Sequence, residues 1–248
     1  MKLPLAAALL TSAAIATVVF AVPTAASSSA RVPVVLELFT SEGCSSCPPA
    51  DRLLESLDRQ PVANANLIVL SEHVDYWNYL GWSDPYSSPF FSDRQHDYSG
   101  RLGADVYTPQ LVIDGQSQVT GSDQREVMHA IAQATQKTKL PVSIRATGGM
   151  VHVEANSGGA KADLYIVIAA DHASSKVLRG ENSGHMLTHI AVAQSISKIG
   201  KWEGSGATAR DIPIPSGSKK QQPGETRIIA LLQDPRTGRI LGAAQTRI

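Results

Sequence analysis

Cys44 and Cys47 are the only cysteines in 248 residues, and they stand three positions apart between two apolar patterns of different period. Before them, Val34-Val35-Leu36-Glu37-Leu38-Phe39 is the kind of run that forms a strand buried on both faces, interrupted only by Glu37. After them, Ala50, Leu53, Leu54 and Leu57 recur at the spacing of an amphipathic helix, which ends near Gln60-Pro61. A Cys-x-x-Cys at a strand-to-helix junction puts one thiol at a helix opening, where unpaired amides and the helix dipole favour thiolate. The second thiol is close enough to form a disulfide with the first. Attack by one thiolate on a substrate disulfide gives a mixed disulfide that the other cysteine resolves, so two residues suffice for redox chemistry. Pro48 and Pro49 directly follow Cys47 and disfavour helical geometry at the residues before them, so regular helix is expected only from about Pro49. That late start weakens the dipole at Cys44 and predicts a modest thiolate shift.

Redox chemistry of this kind depends on compartment. The chain opens Met1-Lys2, runs apolar over the 17 residues from Leu5 to Ala21, broken by Thr11, Ser12 and Thr17, and is rich in Ala and Ser through Ala30. Residues 1–30 have the pattern of an export signal. The run falls short of the about 20 apolar residues a membrane span needs, and an uncleaved anchor is the competing reading. Small residues at Ala21, Ala26 and Ala30 place the mature start between 22 and 31. The expected location is therefore periplasmic or secreted, where disulfides persist. Lysine plus arginine equals aspartate plus glutamate at 22 each, with no basic run. Nucleic acid is not an expected partner, nor is a membrane beyond the export signal.

Leu67-Ile68-Val69-Leu70 is the next buried strand, and a strand, helix, strand unit of this size pairs its strands in parallel. Residues 76–107 then carry nine of the chain's thirteen aromatics, an insertion with its own small core. Ser88-Pro89 suits a helix start, predicting a helix from about Pro89 to Gly100. Val106 to Val119 reads as two strands hinged on Asp114-Gly115. Asp123 with Glu126 opens a last helix bearing Val127, Ile131 and Ala134. From Leu140 onward the helical period fades and six to eight short strands with regular turn signals predict a β-sandwich.

These features together resemble the thioredoxin fold. Leu36 to Asp51, with its motif Glu-Gly-Cys-Ser-Ser-Cys-Pro-Pro-Ala-Asp, His73 to Trp82 and Thr108 to Gly115 resemble the bacterial secreted family catalogued as domain of unknown function 1223. The resemblance implies an α/β thioredoxin-like domain over 32–139, carrying the aromatic insertion 76–107, followed by an all-β sandwich-like domain over 140–248. Pro109 resembles the cis-proline of thioredoxin-like proteins, whose preceding residue, here Thr108, meets an extended substrate. Glu37 resembles the buried acid that exchanges a proton with the resolving cysteine; a solvent-facing glutamate at a strand edge is the competing reading. His73, Trp77 and Trp82 follow the second strand at the sheet edge where ligands gather, and are candidates to line a substrate groove, or to form the insertion's core. The Arg179 to His185 segment resembles a recurrent loop of that family.

The expected function is exchange with protein or small-molecule thiols and disulfides, Cys44 attacking and Cys47 resolving, with no cofactor and no dedicated metal site. Three other readings stay open. The pair could be a structural disulfide. It could be half of a zinc site completed by His185 and His189, although 137 residues separate Cys47 from His185. It could hold copper in a non-catalytic metallochaperone module.

Overall fold

The structure is a computed structural model that describes residues 31–203, 206–214 and 225–248. The export signal expected in residues 1–30 lies outside them. The elements run β1 (Val32–Thr40), α1 (Pro48–Arg59), β2 (Ala65–His73), α2 (Pro89–Leu102), β3 (Gln110–Ile113), β4 (Ser117–Thr120), α3 (Gln124–Ala134), β5 (Val142–Thr147), β6 (Met150–Asn156), β7 (Ala162–Lys176), β8 (Met186–Trp202), β9 (Ala207–Pro213), β10 (Thr226–Gln233) and β11 (Ile240–Arg247). Among the described residues no helix is long and apolar enough to cross a membrane.

Local chemistry explains the element ends. Helix α1 begins at Pro48, one residue earlier than expected, because Cys47 takes helical angles (φ −78°, ψ −37°) despite the proline after it. The Cys47 carbonyl accepts from the amides of Ala50 and Asp51. Pro48 and Pro49 fill the first positions, where an N–H would find no partner in the helix. Ser88 caps α2 by accepting from the Phe90 amide, and Asp123 caps α3 by accepting from the Glu126 amide. Between β3 and β4, Asp114 and Gly115 both have positive φ (52° and 64°), as a tight hairpin turn requires. A Cβ at Gly115 would lie 2.1 Å from the Gly238 carbonyl oxygen, so only glycine fits.

Eight strands form one mixed sheet in the order β11-β10-β7-β8-β2-β1-β3-β4. β1 is parallel to β2 and antiparallel to β3. β2 then meets β8 in parallel, at Ser71 and Val192, so the sheet runs straight through the boundary expected between 139 and 140. The remaining strands, β5-β6-β9, make a second sheet. Its Val151, Val153 and Ile212 pack with Trp202 on Leu164, Ile166 and Ile168 of β7 and on Ile228, Ala230 and Leu232 of β10. The second half is thus a two-layer packing in which one layer is shared with the first half.

Alternation along β1 divides the first half's core. Val34, Leu36 and Leu38 face α1 and α3, meeting Ala50, Leu54, Val127 and Ile131. Val35 faces the other way, into a cluster with Ile68, Leu70 and Phe91 that extends to Val167, Ile229, Ile240 and Ala243. The sheet curls enough for β11 to return to the β3–β4 turn, where the Ile240 amide donates to the Asp114 carbonyl (2.8 Å). Ion pairs also join the halves. Fully buried Arg227 of β10 donates two hydrogen bonds to the Asp58 carboxylate of α1 (2.7 and 2.8 Å) and also pairs with Asp171 of β7.

Below α2 lies a buried polar group. Arg94 has Nε and Nη2 both 2.7 Å from Glu37 Oε2, and Tyr98 donates to Glu37 Oε1 (2.8 Å). Glu72 is also fully buried, with Arg94 Nε at 3.7 Å and neither oxygen hydrogen-bonded. Burial, reinforced by the Glu37 charge and only partly opposed by Arg94, raises its carboxyl well above the ordinary range. A folded pKa above the unfolded one makes this group's contribution largest below about pH 4.5, falling as pH rises toward the folded value. Glu72→Gln keeps the shape without the titration and is expected to stabilise the protein by roughly 1–3 kcal/mol at pH 7. Urea midpoints of both proteins at pH 5 and pH 8 check this: the gain must grow with pH, and equal gains at both would exclude the carboxyl as its source.

Candidate functional site

Strand β1 ends at Thr40, and the turn that follows carries both cysteines. The Gly43 amide donates to Ser41 Oγ, the Cys44 amide to the Ser41 carbonyl, and the Cys47 amide to the Cys44 carbonyl. These bonds wind the chain directly into α1. Cys44 and Cys47 form a disulfide with Cα atoms 5.5 Å apart. Both residues are 0% exposed.

The cis peptide expected at Thr108-Pro109 is present. Pro109 packs beside the start of α1. A Cβ built on Gly121 would sit 3.5 Å from Pro109 Cβ and 3.2 Å from Ala50 Cβ, so the missing side chain lets this corner close. Trp77 Nε1 donates to Thr108 Oγ1 (2.8 Å), and a Cβ on Gly43 would be 3.0 Å from Trp77 Cβ. Trp82 Nε1 donates to Glu42 Oε2 (2.8 Å). The aromatic insertion therefore lies on the cysteine side of the fold, bound to both the Cys-x-x-Cys turn and the cis peptide.

Glu42, two residues before Cys44, is where the site converges. It is fully buried. Its amide donates to Asp84 Oδ2 (2.8 Å), its carboxylate accepts from Trp82 and from the Ser175 hydroxyl, and His189 Nε2 lies 3.4 Å from Oε1. Burial pushes the Glu42 carboxyl up, but the attraction of His189 and the hydrogen bonds from Ser175 and Trp82 outweigh this and hold it below its ordinary value. His189 Nδ1 is 3.7 Å from Asp51 Oδ1, so the imidazole lies between two carboxylates. Their pull overcomes burial and raises its pKa to about 10.

His73 is likewise fully buried, and its Nδ1 is 2.7 Å from Asp84 Oδ2. Burial raises the Asp84 carboxyl, but the attraction and hydrogen bond of His73 and the amides of Glu42 and Tyr86 bring it below its usual range. The His73 and His189 rings meet edge to face with centroids 4.5 Å apart. His73 is thus tied into the wall beneath the turn, and together with Trp77 and Trp82 it joins the cysteine neighbourhood.

Glu37 does not. Strand alternation turns its side chain to the face of Val35, away from α1 and Cys47, and its carboxylate is taken up by Arg94 and Tyr98. The proton-exchange role expected for it has no support in this placement. The buried acids on the cysteine side are Glu42, Asp51 and Asp84 instead. Asp51 stands one turn after Cys47 on α1, is 6% exposed, and has Oδ1 without a hydrogen-bond partner.

The second half of the chain supplies the roof. Beyond its contact with β2, the β7–β8 hairpin continues as a two-stranded arm, paired from His172 with Ile190 to Lys176 with Met186. The arm brings Ser175 and His189 to Glu42, and its tip, residues 177–185, reaches the cysteines. Asn182 Nδ2 donates to the carbonyls of both Glu42 and Cys44 (2.9 Å each), and the Ser45 amide donates to Glu181 Oε2 (3.0 Å). His185 stays on the tip, its Nδ1 3.2 Å from the Asn182 carbonyl oxygen, while His189 is buried below, so the pair does not converge on the cysteines as zinc ligands would. Among the described residues no group of three or more His, Cys, Asp and Glu side chains is arranged to hold a metal ion.

Sequence reasoning did not single out Glu42, Asp51, Asp84, Ser175, Glu181 or Asn182 individually as site residues. Glu42 and Asp51 bracket the cysteines within the quoted motif, and Glu181 and Asn182 lie in the loop whose resemblance was noted. Those two local signals were available; Asp84 and Ser175 carried none.

Comparison with solved structures places this architecture among known ones. The crystal structure of protein AGR_C_4864 from Agrobacterium tumefaciens matches with a TM-score of 0.72 at 31% identity, covering 87% of this chain and 94% of that one. HBP35 of Porphyromonas gingivalis shares the fold at 14% identity, with a TM-score of 0.65 over 88% of this chain and 76% of that one. Comparison with curated proteins gives no match. The family model described as "Protein of unknown function (DUF1223)" matches residues 35–233, and the chain belongs to that family.

Proposed function

We propose that this chain is an exported thiol-disulfide oxidoreductase whose first half is thioredoxin-like, with Cys44 as the exchanging sulfur and Cys47 as the resolving one. The observation that carries this reading is the Cys44–Cys47 disulfide at the strand-to-helix turn, with the cis Thr108-Pro109 peptide tied to that turn through Trp77, which bonds Thr108 and lies against Gly43. The strand order β2-β1-β3-β4, with α1 and α3 on one face, supports the thioredoxin-like assignment. The apolar run at residues 5–21 supports export.

The exchange balances without a cofactor. A substrate thiolate attacks Cys44 Sγ; the Cys44–Cys47 bond breaks, and its electron pair and a proton go to Cys47. A second substrate thiol then attacks the substrate sulfur of the mixed disulfide and releases Cys44 as a thiol. The substrate loses two electrons and the pair gains them; the same steps reversed reduce a substrate disulfide. Trp77 and Trp82, hydrogen-bonded to Thr108 and Glu42 respectively, flank the turn and would meet a protein or small-molecule thiol once Cys44 is uncovered.

Cys47→Ala is expected to strand substrate on Cys44 as a mixed disulfide, because the attacking sulfur remains and its resolver is gone. Cys44→Ala is expected to trap several-fold less. Non-reducing gels of extracts expressing each variant read the difference. Equal trapping, or none in either, would sink the oxidoreductase reading.

A further inference from the structure

A sulfur that exchanges disulfides must be reached by a third sulfur, yet both Cys44 and Cys47 are fully buried. Approach to Cys44 is closed where the arm tip lies on the turn. The side-chain amide of Asn182, a residue only 7% exposed, donates to the carbonyls of Glu42 and Cys44, and Glu181 takes the amide of Ser45. These two side chains thus occupy the backbone groups on either side of Cys44. Gly180 of the tip also lies against the insertion, where an added Cβ would be 3.5 Å from Trp82 Cβ.

The tip is built to leave as a unit. Its internal bonds, from the Ser183 amide to the Gly180 carbonyl and from the Gly184 amide to the Val177 carbonyl, hold its shape without help from the turn. Gly180 and Gly184 have φ of +78° and +85°, conformations that glycine adopts without penalty. Glu181 is on the surface and holds the Ser45 amide by one hydrogen bond, which also brings its carboxyl below the usual range. Val177 is fully buried and anchors the base of the tip, whereas the side chains of Leu178 and Met186 beside it are exposed, so the segment beyond Val177 carries no buried apolar side chain among the described residues.

We propose that residues 178–185, hinged on buried Val177, are a gate over the disulfide, latched by Asn182 and Glu181, and that exchange at Cys44 proceeds only when the latch opens. This rests on the oxidoreductase reading for its purpose. The gate itself is tested without any biological substrate. Dithiothreitol reduces the oxidised full-length protein: its dithiol becomes the cyclic disulfide while Cys44–Cys47 takes up two electrons and two protons. The rate is read by quenching with a maleimide and weighing the product.

Asn182→Ala removes both amide bonds and is expected to speed reduction about tenfold or more, equivalent to about 1.4 kcal/mol on the opening step. Glu181→Gln, at an exposed position where folding is not at stake, is expected to speed it about two- to fivefold. The double variant should exceed either. Rates within error of the parent in Glu181→Gln and in every Asn182 variant that melts with the parent would overturn the gate. Faster reduction combined with no trapped substrate in Cys47→Ala keeps the gate and sinks the exchange reading; trapping with unchanged reduction rates does the reverse.

Discussion

Replacing Arg94 with methionine is expected to cost about 3–5 kcal/mol at neutral pH, because it leaves a buried carboxylate without its countercharge. Glu37 is 0% exposed, and apart from Arg94 its described partner is the Tyr98 hydroxyl. Glu72, also fully buried, loses the same cation. The arginine sits on α2 and the acids on β1 and β2, so its loss unties the helix from the sheet as well as unpairing a charge. Arg94→Met with Glu37→Gln should cost less than Arg94→Met alone, since the carboxylate that Arg94 binds most closely is then uncharged as well. Guanidinium denaturation of the parent, both single variants and the double variant measures the coupling. A loss below 1 kcal/mol in Arg94→Met, or strict additivity in the cycle, would show that the pair is not what holds α2 in place.

Glu37 also shows where the sequence stopped being informative. A strand buried on both faces reads as an apolar run, and such a run does not say which parity faces which helix. The Cys-x-x-Cys turn, the helix after it, the Asp114-Gly115 hairpin and the Asp123 cap were legible because each depends on residues within one or two turns of one another. The position of Glu37 depends on α1 choosing the face of Val34, Leu36 and Leu38, a choice made by packing.

The continuity of the main sheet was hidden for a similar reason. It hangs on β8 reaching β2 at Ser71 and Val192, across more than a hundred residues, and no local pattern announces such a meeting. The turn signals and strand runs after residue 140 correctly pointed to many short β-elements, but two strands proved long. At 15 and 17 residues, β7 and β8 continue past the sheet to form the arm. The site was legible in proportion to its locality. The cysteines and the proline announced themselves, whereas His189 drew notice only for its spacing from His185, a pattern that suggested zinc rather than a partner for Glu42.

Replacing His189 with glutamine is expected to cost about 3–5 kcal/mol at pH 7 and to abolish most of the alkaline pH dependence of stability. His189 is 2% exposed and faces Glu42 and Asp51 directly, with the His73 and Tyr86 rings packed against it. Its pKa is raised from 6.5 to about 10, so the folded state holds this proton more tightly than the unfolded one. The stabilisation is complete below about pH 6.5 and is lost as pH rises through about 10, which gives the parent a falling stability across that window. Glu42 works in the opposite sense: its lowered carboxyl contributes above the unfolded value near 4.5 and loses that contribution as pH falls. Stability from this cluster should therefore be greatest between the two, near pH 5 to 6.5. In His189→Gln the decline from pH 7 to pH 10 should flatten. Glu42→Gln should also reduce that decline, because it removes one of the two carboxylates that hold the proton. Denaturant midpoints at unit pH steps decide the matter. A decline equally steep in the parent and in His189→Gln would mean that another group releases the proton and that the imidazole beneath the cysteine turn is held neutral.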